Sequence, residues 1–184
     1  MQKKKEIRGK KVLLRPFERS DLAKSIEWLN DPEIMRLLGR RSPISMAEEE
    51  KRYEDYLKSG KSEIFAVMER NGSHIGNIGL YRIDKINRKA SLGIVIGEKD
   101  LWGRGYGSDA ILTILRYAFK DLGLHKVSLR VFRANRRAIK SYMRCGFRRE
   151  GVEREEVFKN GRFHDLFVMS VLDREFNELM KEKQ

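Results

Sequence analysis

Cysteine is almost missing from this chain of 184 residues, with Cys145 standing alone. One thiol cannot close an internal disulfide, and without a neighbouring cluster of His and Cys it is no structural zinc site, so neither redox nor metal chemistry is expected. Proline is scarce as well, at three residues. No apolar run approaches the roughly eighteen residues that a membrane helix needs. The opening Met1-Gln2-Lys3-Lys4-Lys5 leads into a strand and not into an apolar signal segment, so the chain is expected in the cytoplasm with no membrane partner. Linkers, repeats and low-complexity stretches are absent too. A single domain over residues 1–184 is expected, with residues 1–6 as a short tail.

Positive charge is what the sequence has in quantity: 40 Lys and Arg against 27 Asp and Glu give a formal net charge of +13. Between Lys126 and His164 twelve Lys or Arg face four Glu, a local excess of eight (12 − 4). Clustered cations favour phosphates, whether of a nucleic acid or of a polyphosphorylated cofactor. The three-lysine start is short and has no interleaved aromatics, so a direct nucleic-acid function is not favoured.

Residues 11–16 read as a strand closed by Pro16, after which Ser20-Asp21 caps an amphipathic helix over residues 22–29 that Asn30-Asp31-Pro32 ends. Ser45, with Glu48 as capping-box partner, opens a second helix to about residue 60, so this half reads as a helical hairpin. Three strand-like runs follow over residues 63–70, 73–82 and 89–97, the first two joined by Asn71-Gly72, the strongest hairpin signal present. The next units are a glycine turn, a long amphipathic helix from about 105 to 122 and a strand at 126–132. Strand, helix, strand in that order implies two parallel strands with a right-handed crossover. A helix over 135–144 and two strands around Lys159-Asn160-Gly161-Arg162 complete the chain.

Two segments carry chemistry. Trp102-Gly103-Arg104-Gly105-Tyr106-Gly107-Ser108 lies between a strand and a helix, where unpaired amides and the helix dipole favour an anion and glycines let a phosphate approach. Gly105-Tyr106-Gly107-Ser108-Asp109-Ala110 also matches the dinucleotide fingerprint, but that motif follows the first strand of a parallel sheet and precedes a strand ending in an acid. Neither holds here. The second segment runs from Asn135, a good N-cap, through Ala138, Ile139 and Tyr142 to Gly146-Phe147. Taken by itself it is an ordinary capped helix. Its place one strand downstream of a phosphate turn is what lifts it.

In these two segments, and from Leu14-Arg15-Pro16 through Trp28-Leu29-Asn30-Asp31-Pro32-Glu33 to Asp165, the chain resembles the GNAT superfamily of acetyltransferases. Within it the resemblance is to the branch of ribosomal-protein alanine and spermidine N-acetyltransferases. It implies an α+β fold with a mostly antiparallel central sheet of about seven strands, splayed between two parallel strands and flanked by about four helices. It implies acetyl-CoA as cofactor, with pantetheine along Ile94, Val95 and Ile96 and the pyrophosphate on the turn from Trp102 and Gly103 through Arg104, Gly105, Tyr106 and Gly107 to Ser108. It also implies a cofactor contact and catalytic part for Asn135, and for Tyr142 the place of the acid that protonates the departing thiolate. Trp102 stands where much of the superfamily has Gln or Arg, which moves pyrophosphate recognition onto backbone amides.

Direct attack by an amine in a ternary complex needs no cysteine or serine nucleophile, so Cys145 is expected as a buried small residue. An α-amino group, with pKa about 8, is partly neutral near pH 7, whereas a polyamine nitrogen near 10 needs a base or a desolvated site. Asp31 and Glu33, the latter in the loop after the first helix, are the candidate acceptor-side residues. Asn77, Ser91, Glu98 and Asp100 are further options, and His125 and His164 are titratable but stand isolated. The first reading of the acceptor is a protein or peptide N-terminus, favoured by the basic surface. The alternative is a small amine such as a polyamine, amino sugar or antibiotic, for which Glu48, Glu49, Glu50, Glu54 and Asp55 are available, although such runs usually form a solvated helix face. A third reading is an idle acyl-CoA or nucleic-acid binding module. A homodimer is compatible with all three.

Overall fold

The computed structural model describes residues 6–39 and 42–182. The tail expected at residues 1–6 lies outside these, apart from Glu6. In chain order the strands are β1 (Ile7–Arg8), β2 (Val12–Pro16), β3 (Glu63–Glu69), β4 (His74–Asp84), β5 (Lys89–Ile96), β6 (Lys126–Phe132), β7 (Arg148–Lys159) and β8 (Arg162–Leu172). The helices are α1 (Leu22–Leu29), α2 (Pro32–Leu38), α3 (Met46–Ser59), α4 (Tyr106–Lys120), α5 (Arg136–Arg144) and α6 (Asp173–Glu182). All eight described strands form one sheet in the order β1-β2-β3-β4-β5-β6-β8-β7. Every neighbouring pair is antiparallel except β5 and β6, the expected parallel pair.

The mixed α/β class is as expected, and the extra elements have local causes. Asn30-Asp31-Pro32, read as a helix stop, also starts one: the Asp31 side chain accepts from the amides of Glu33 and Ile34 at 3.0 and 3.1 Å, and Pro32 occupies the first helical position, where its missing N–H costs nothing. Glu33 therefore sits in the first turn of α2 and not in a loop. Helix α6 follows β8 directly and seats Phe176, 1% exposed, against Phe119 of α4. The two-residue β1 completes a hairpin with β2.

The hairpin signals form as their turn chemistry dictates. Gly72 has φ 88°, and Asn160 and Gly161 have φ 51° and 74° between the paired Lys159 and Arg162. Helix α4 lays Ala110, Ile111, Ile114, Leu115 and Ala118 on the sheet, all at 1% exposure or less. Each such large aliphatic side chain is worth roughly 1.5–3 kcal/mol of burial.

One carboxylate ties this helix to the start of the chain. Asp109, in the first turn of α4, accepts from the backbone amides of Lys10, Lys11 and Val12 at 3.1, 2.7 and 3.0 Å. It thereby satisfies the turn between β1 and β2 and fixes where α4 begins. Asp109→Ala leaves three donors to water and should lower stability by about 1–3 kcal/mol, read as a lower chemical-denaturation midpoint with unchanged slope. An unchanged midpoint would mean that the hairpin is held by its strand pairing alone.

Candidate active site

The parallel pair is short. Strands β5 and β6 are in register at Lys89 with Lys126, Ala90 with Val127 and Ser91 with Ser128, and no further pairing joins them among the described residues. Each keeps its outer neighbour: β4 stays with β5 out to Ile96, and β8 with β6 out to Phe132. Their inner edges therefore diverge, and a cleft of about 530 Å³ opens between residues 92–96 and 130–132, roofed by the starts of α4 and α5.

Ten of the expected site residues line this cleft: Ile94, Val95 and Ile96 on one side, Trp102, Gly103, Gly105, Gly107 and Ser108 at its end, and Asn135 and Tyr142 across from them. Arg104 and Tyr106 lie off its wall. The Arg104 carbonyl accepts from Lys11 Nζ at 2.8 Å, and the Tyr106 hydroxyl donates to Glu69 on β3. Asp31 and Glu33 are off the wall as well. Asp31 spends one oxygen on capping α2 and the other on Lys99 at 2.8 Å, and hydrogen bonding to Lys99 holds its pKa below the usual carboxylate range. Glu33 stands 3.8 Å from the same lysine. What α2 does bring to the cleft is Ile34, Leu37 and Leu38.

The glycine turn fits a bound pyrophosphate. Gly103 and Gly105 have φ 77° and 87°, a conformation that side-chain-bearing residues rarely adopt, and a Cβ added at Gly103 would meet no heavy atom within 4 Å. Open space therefore stands over the turn. The first amide of α4 to bond one turn back is that of Asp109, to the Gly105 carbonyl at 3.0 Å, so those of Tyr106, Gly107 and Ser108 carry the dipole of a fifteen-residue helix with no carbonyl behind them. The described wall carries Arg130, Arg137, Lys140 and Arg144 and no carboxylate.

Arg137 is a residue that the sequence reading missed. Trp102 donates its indole N–H to the Ile96 carbonyl at 2.7 Å, which lays the ring across the end of the cleft, and the Arg137 guanidinium stacks on that ring at 3.6 Å. Burial lowers the Arg137 pKa from its ordinary value. The cation absent at position 102 is thus present at the same place, delivered from α5. Two consecutive arginines after Asn135 were the available signal, but only packing shows which of them turns inward.

Asn135 accepts from the Ala138 amide at 3.1 Å, capping α5 as expected. Ser108 and Ser141 bond at 2.9 Å, joining the first turn of α4 to α5. Cys145 is buried, its thiol 3.5 Å from the Ser108 carbonyl. Tyr142 packs edge-on to Phe147 at 5.8 Å, and burial, with a smaller contribution from Cys145, pushes its pKa up to about 12. Its hydroxyl thus holds a proton throughout the neutral range. His125 pairs with Asp173 at 3.2 Å and His164 bonds the Lys159 carbonyl at 3.2 Å, both away from the cleft.

On the other face of β5 a second cleft of about 380 Å³ shares Gly93, Ile94, Val95 and Leu38 with the first. Phe17, Tyr53, Tyr56 and Tyr81 line it, and Glu49, 7% exposed, enters it 2.7 Å from Arg52. The acids of α3 are therefore not one solvated face. Glu50 and Glu54 pair with Arg19 at 3.2 and 3.0 Å, Glu48 closes the capping box with Ser45, and Glu49 alone turns inward to this cleft.

The chain and its fold have close counterparts. The family model for the acetyltransferase (GNAT) domain matches residues 11–148. The spermidine N(1)-acetyltransferase of Vibrio cholerae is 32% identical over 165 residues, which cover 90% of this chain and 95% of that one. YdaF of Bacillus subtilis, which carries a provisional name as a ribosomal N-acetyltransferase, is 36% identical over 106 residues, or 58% of this chain and 57% of that one. Among solved structures, spermidine N-acetyltransferase from Vibrio cholerae in complex with CoA and spermine superposes with a TM-score of 0.85 at 32% identity, covering 91% of this chain and 98% of that one. The chain belongs to the GNAT acetyltransferase family and is an N-acetyltransferase that takes its acetyl group from acetyl-CoA.

Proposed function

We propose that the protein acetylates a primary amine of a small molecule, of the polyamine class first, with the cofactor in the cleft between β5 and β6 and the acceptor in the aromatic cleft across β5. The observation that carries this reading is the second cleft: lined by one phenylalanine and three tyrosines, holding one inward-facing carboxylate, and separated from the cofactor cleft only by residues 93–95. Aromatic faces attract a cationic amine and lower its hydration, which favours the neutral form that attacks. The likeness to spermidine N-acetyltransferases supports the same choice over a protein N-terminus, the reading that the basic surface first favours. The one continuous sheet supports reading the chain as a single domain.

When bound, acetyl-CoA would supply a thioester whose carbonyl carbon the neutral amine attacks, with a carbon–nitrogen bond forming, the carbon–sulfur bond breaking, the thiolate taking one proton and the nitrogen releasing one to solvent. On this reading the amides of residues 106–108 and the Arg137 guanidinium hold the phosphates, the inner edge of β5 at Ile94–Ile96 pairs with the pantetheine amides, and the Tyr142 hydroxyl gives its proton to sulfur. The apolar wall of Ile34, Leu37 and Leu38 keeps water from the thioester.

Three outcomes test this. In a thiol-release assay with spermidine, other small amines, amino sugars and N-terminal peptides, small amines should turn over and peptides should not; turnover confined to peptides would overturn the acceptor. Tyr142→Phe should lower kcat about 10²-fold with acetyl-CoA affinity unchanged. Because the hydroxyl is raised to about 12, wild-type kcat should stay level between about pH 8 and 10, where an ordinary tyrosine would be losing its proton. A kcat that halves near pH 10 only with Tyr142 present would leave it the acid with an ordinary pKa, whereas a Tyr142→Phe variant with wild-type kcat and the same pH profile removes it from the acid's place. Arg137→Gln should weaken acetyl-CoA binding by about tenfold or more in calorimetric titration and leave acetylated pantetheine, which lacks the pyrophosphate, untouched. Equal losses for both ligands would mean that Arg137 only shapes the cleft.

A further inference from the structure

Beneath the second cleft lies a run of buried polar groups that nothing above uses. Asp21, 6% exposed, receives both guanidinium nitrogens of Arg15 at 3.0 and 2.8 Å. Burial alone would raise its pKa, but the Arg15 hydrogen bonds hold it below the usual carboxylate range. His74 Nδ1 stands 3.6 Å from the same carboxylate. On its other side His74 Nε2 faces two oxygens, the Gly76 carbonyl at 3.0 Å and Asn77 Oδ1 at 2.8 Å. Asn77 Nδ2 lies 3.1 Å from Ser25 Oγ. Asn77 and Ser25 both line the second cleft.

The direction of each bond in this run is fixed. A carbonyl oxygen can only accept, so His74 Nε2 carries the proton and donates. Asn77 Oδ1 is then the acceptor, which makes Nδ2 the donor to Ser25. Ser25 Oγ therefore accepts from Asn77 and retains one lone pair and its own proton. A helical hydroxyl ordinarily spends that proton on the carbonyl one turn back, as Thr113 does on Asp109 at 2.7 Å. Ser25, inside α1 and 3% exposed, has Asn77 as its hydrogen-bonding partner among the described residues. With one bond accepted from Asn77, Ser25 Oγ still has a lone pair open at the wall of the cleft, where it can accept from a ligand.

Resting on the reading of the second cleft as the acceptor site, we propose that Ser25 is the hydroxyl that binds the acceptor amine, and that His74 and Asn77 are positioning residues which turn it toward the cleft. An N–H of the incoming amine donates to the remaining Ser25 lone pair. That contact orients the nitrogen without requiring a charged base at the point of attack.

Ser25→Ala should raise the acceptor KM about tenfold, the worth of one buried hydrogen bond, while acetyl-CoA affinity by titration holds; the melting temperature falls, because the Asn77 amide loses its acceptor, and is no part of the test. His74→Leu should produce the same acceptor defect, and His74→Gln, whose amide nitrogen can take the place of Nε2 as donor to Asn77, should recover most of it. A merely structural histidine would show a parallel loss of cofactor binding, with no rescue of the acceptor KM by Gln. An unchanged acceptor KM in Ser25→Ala overturns the assignment. The assay is run on whichever acceptor turns over. Turnover of peptides alone defeats the small-amine reading, while a KM rise with that peptide in Ser25→Ala still upholds Ser25.

Discussion

Two neighbouring strands that part company after three residue pairs open the cleft around which the rest of this structure is arranged. A strand edge carries a donor or an acceptor at every residue, and buried backbone groups do not go unpaired without cost. Beyond Ser91 and Ser128 the edges of β5 and β6 face each other across a gap too wide for a ladder, and both are held open because β4 and β8 bind them from outside. Trp102 takes up one exposed carbonyl, that of Ile96. The rest of the gap suits a narrow ligand with amides of its own, and the glycine turn at its end suits a phosphate. Cofactor chemistry thus follows from a defect in strand pairing that the rest of the sheet enforces.

The parts of this arrangement that were legible in the sequence are those with local causes. Asn71-Gly72 and Asn160-Gly161 require positive φ, so their hairpins declare themselves. The alternating glycines after a strand announce a phosphate turn before α4, and Asn135 announces the start of α5. Helix α2 was hidden because Asp31-Pro32 ends one helix and begins the next with the same residues; an Asp followed by Pro is both a break and a cap. Helix α6 was hidden because it follows β8 with no turn residue between them. Glu49 and Arg137 could not be singled out among their like-charged neighbours, since which member of Glu48-Glu49-Glu50 or Arg136-Arg137 faces inward depends on partners far away in sequence, Tyr81 and Trp102 among them.

Net charge misleads in the same way when it is read as a total. An excess of thirteen positive charges invites a nucleic-acid reading. In the structure many of those cations are paired: Arg19 with Glu50 and Glu54, Lys24 with Glu27 and Glu98, Lys99 with Asp31 and Glu33. Exposed pairs of this kind are worth about 0–1 kcal/mol and say little about stability. What matters is placement. Among the described residues, four cations and no carboxylate line the cleft between β5 and β6, whereas the second cleft holds one carboxylate matched by one guanidinium. On the proposed reading, a polyanion is drawn to the first and a cationic amine tolerated in the second, which would let one chain present two substrates of opposite charge to each other.

The wall between those substrates has to be thin, and glycine makes it so. A Cβ on Gly93 would lie 2.9 Å from the Tyr81 ring, and one on Gly79 would lie equally close to that ring. The two glycines sit opposite each other on β4 and β5, so the tyrosine can lie flat on the sheet where β5 begins to diverge from β6. Burial raises the Tyr81 hydroxyl far above its ordinary pKa, so the ring remains a neutral, polarisable floor. Any side chain at Gly93 would lift that ring into the acceptor cleft. If the acceptor binds as proposed, the reach of its amine across residues 93–95 to a thioester on the far side depends on the absence of two β-carbons.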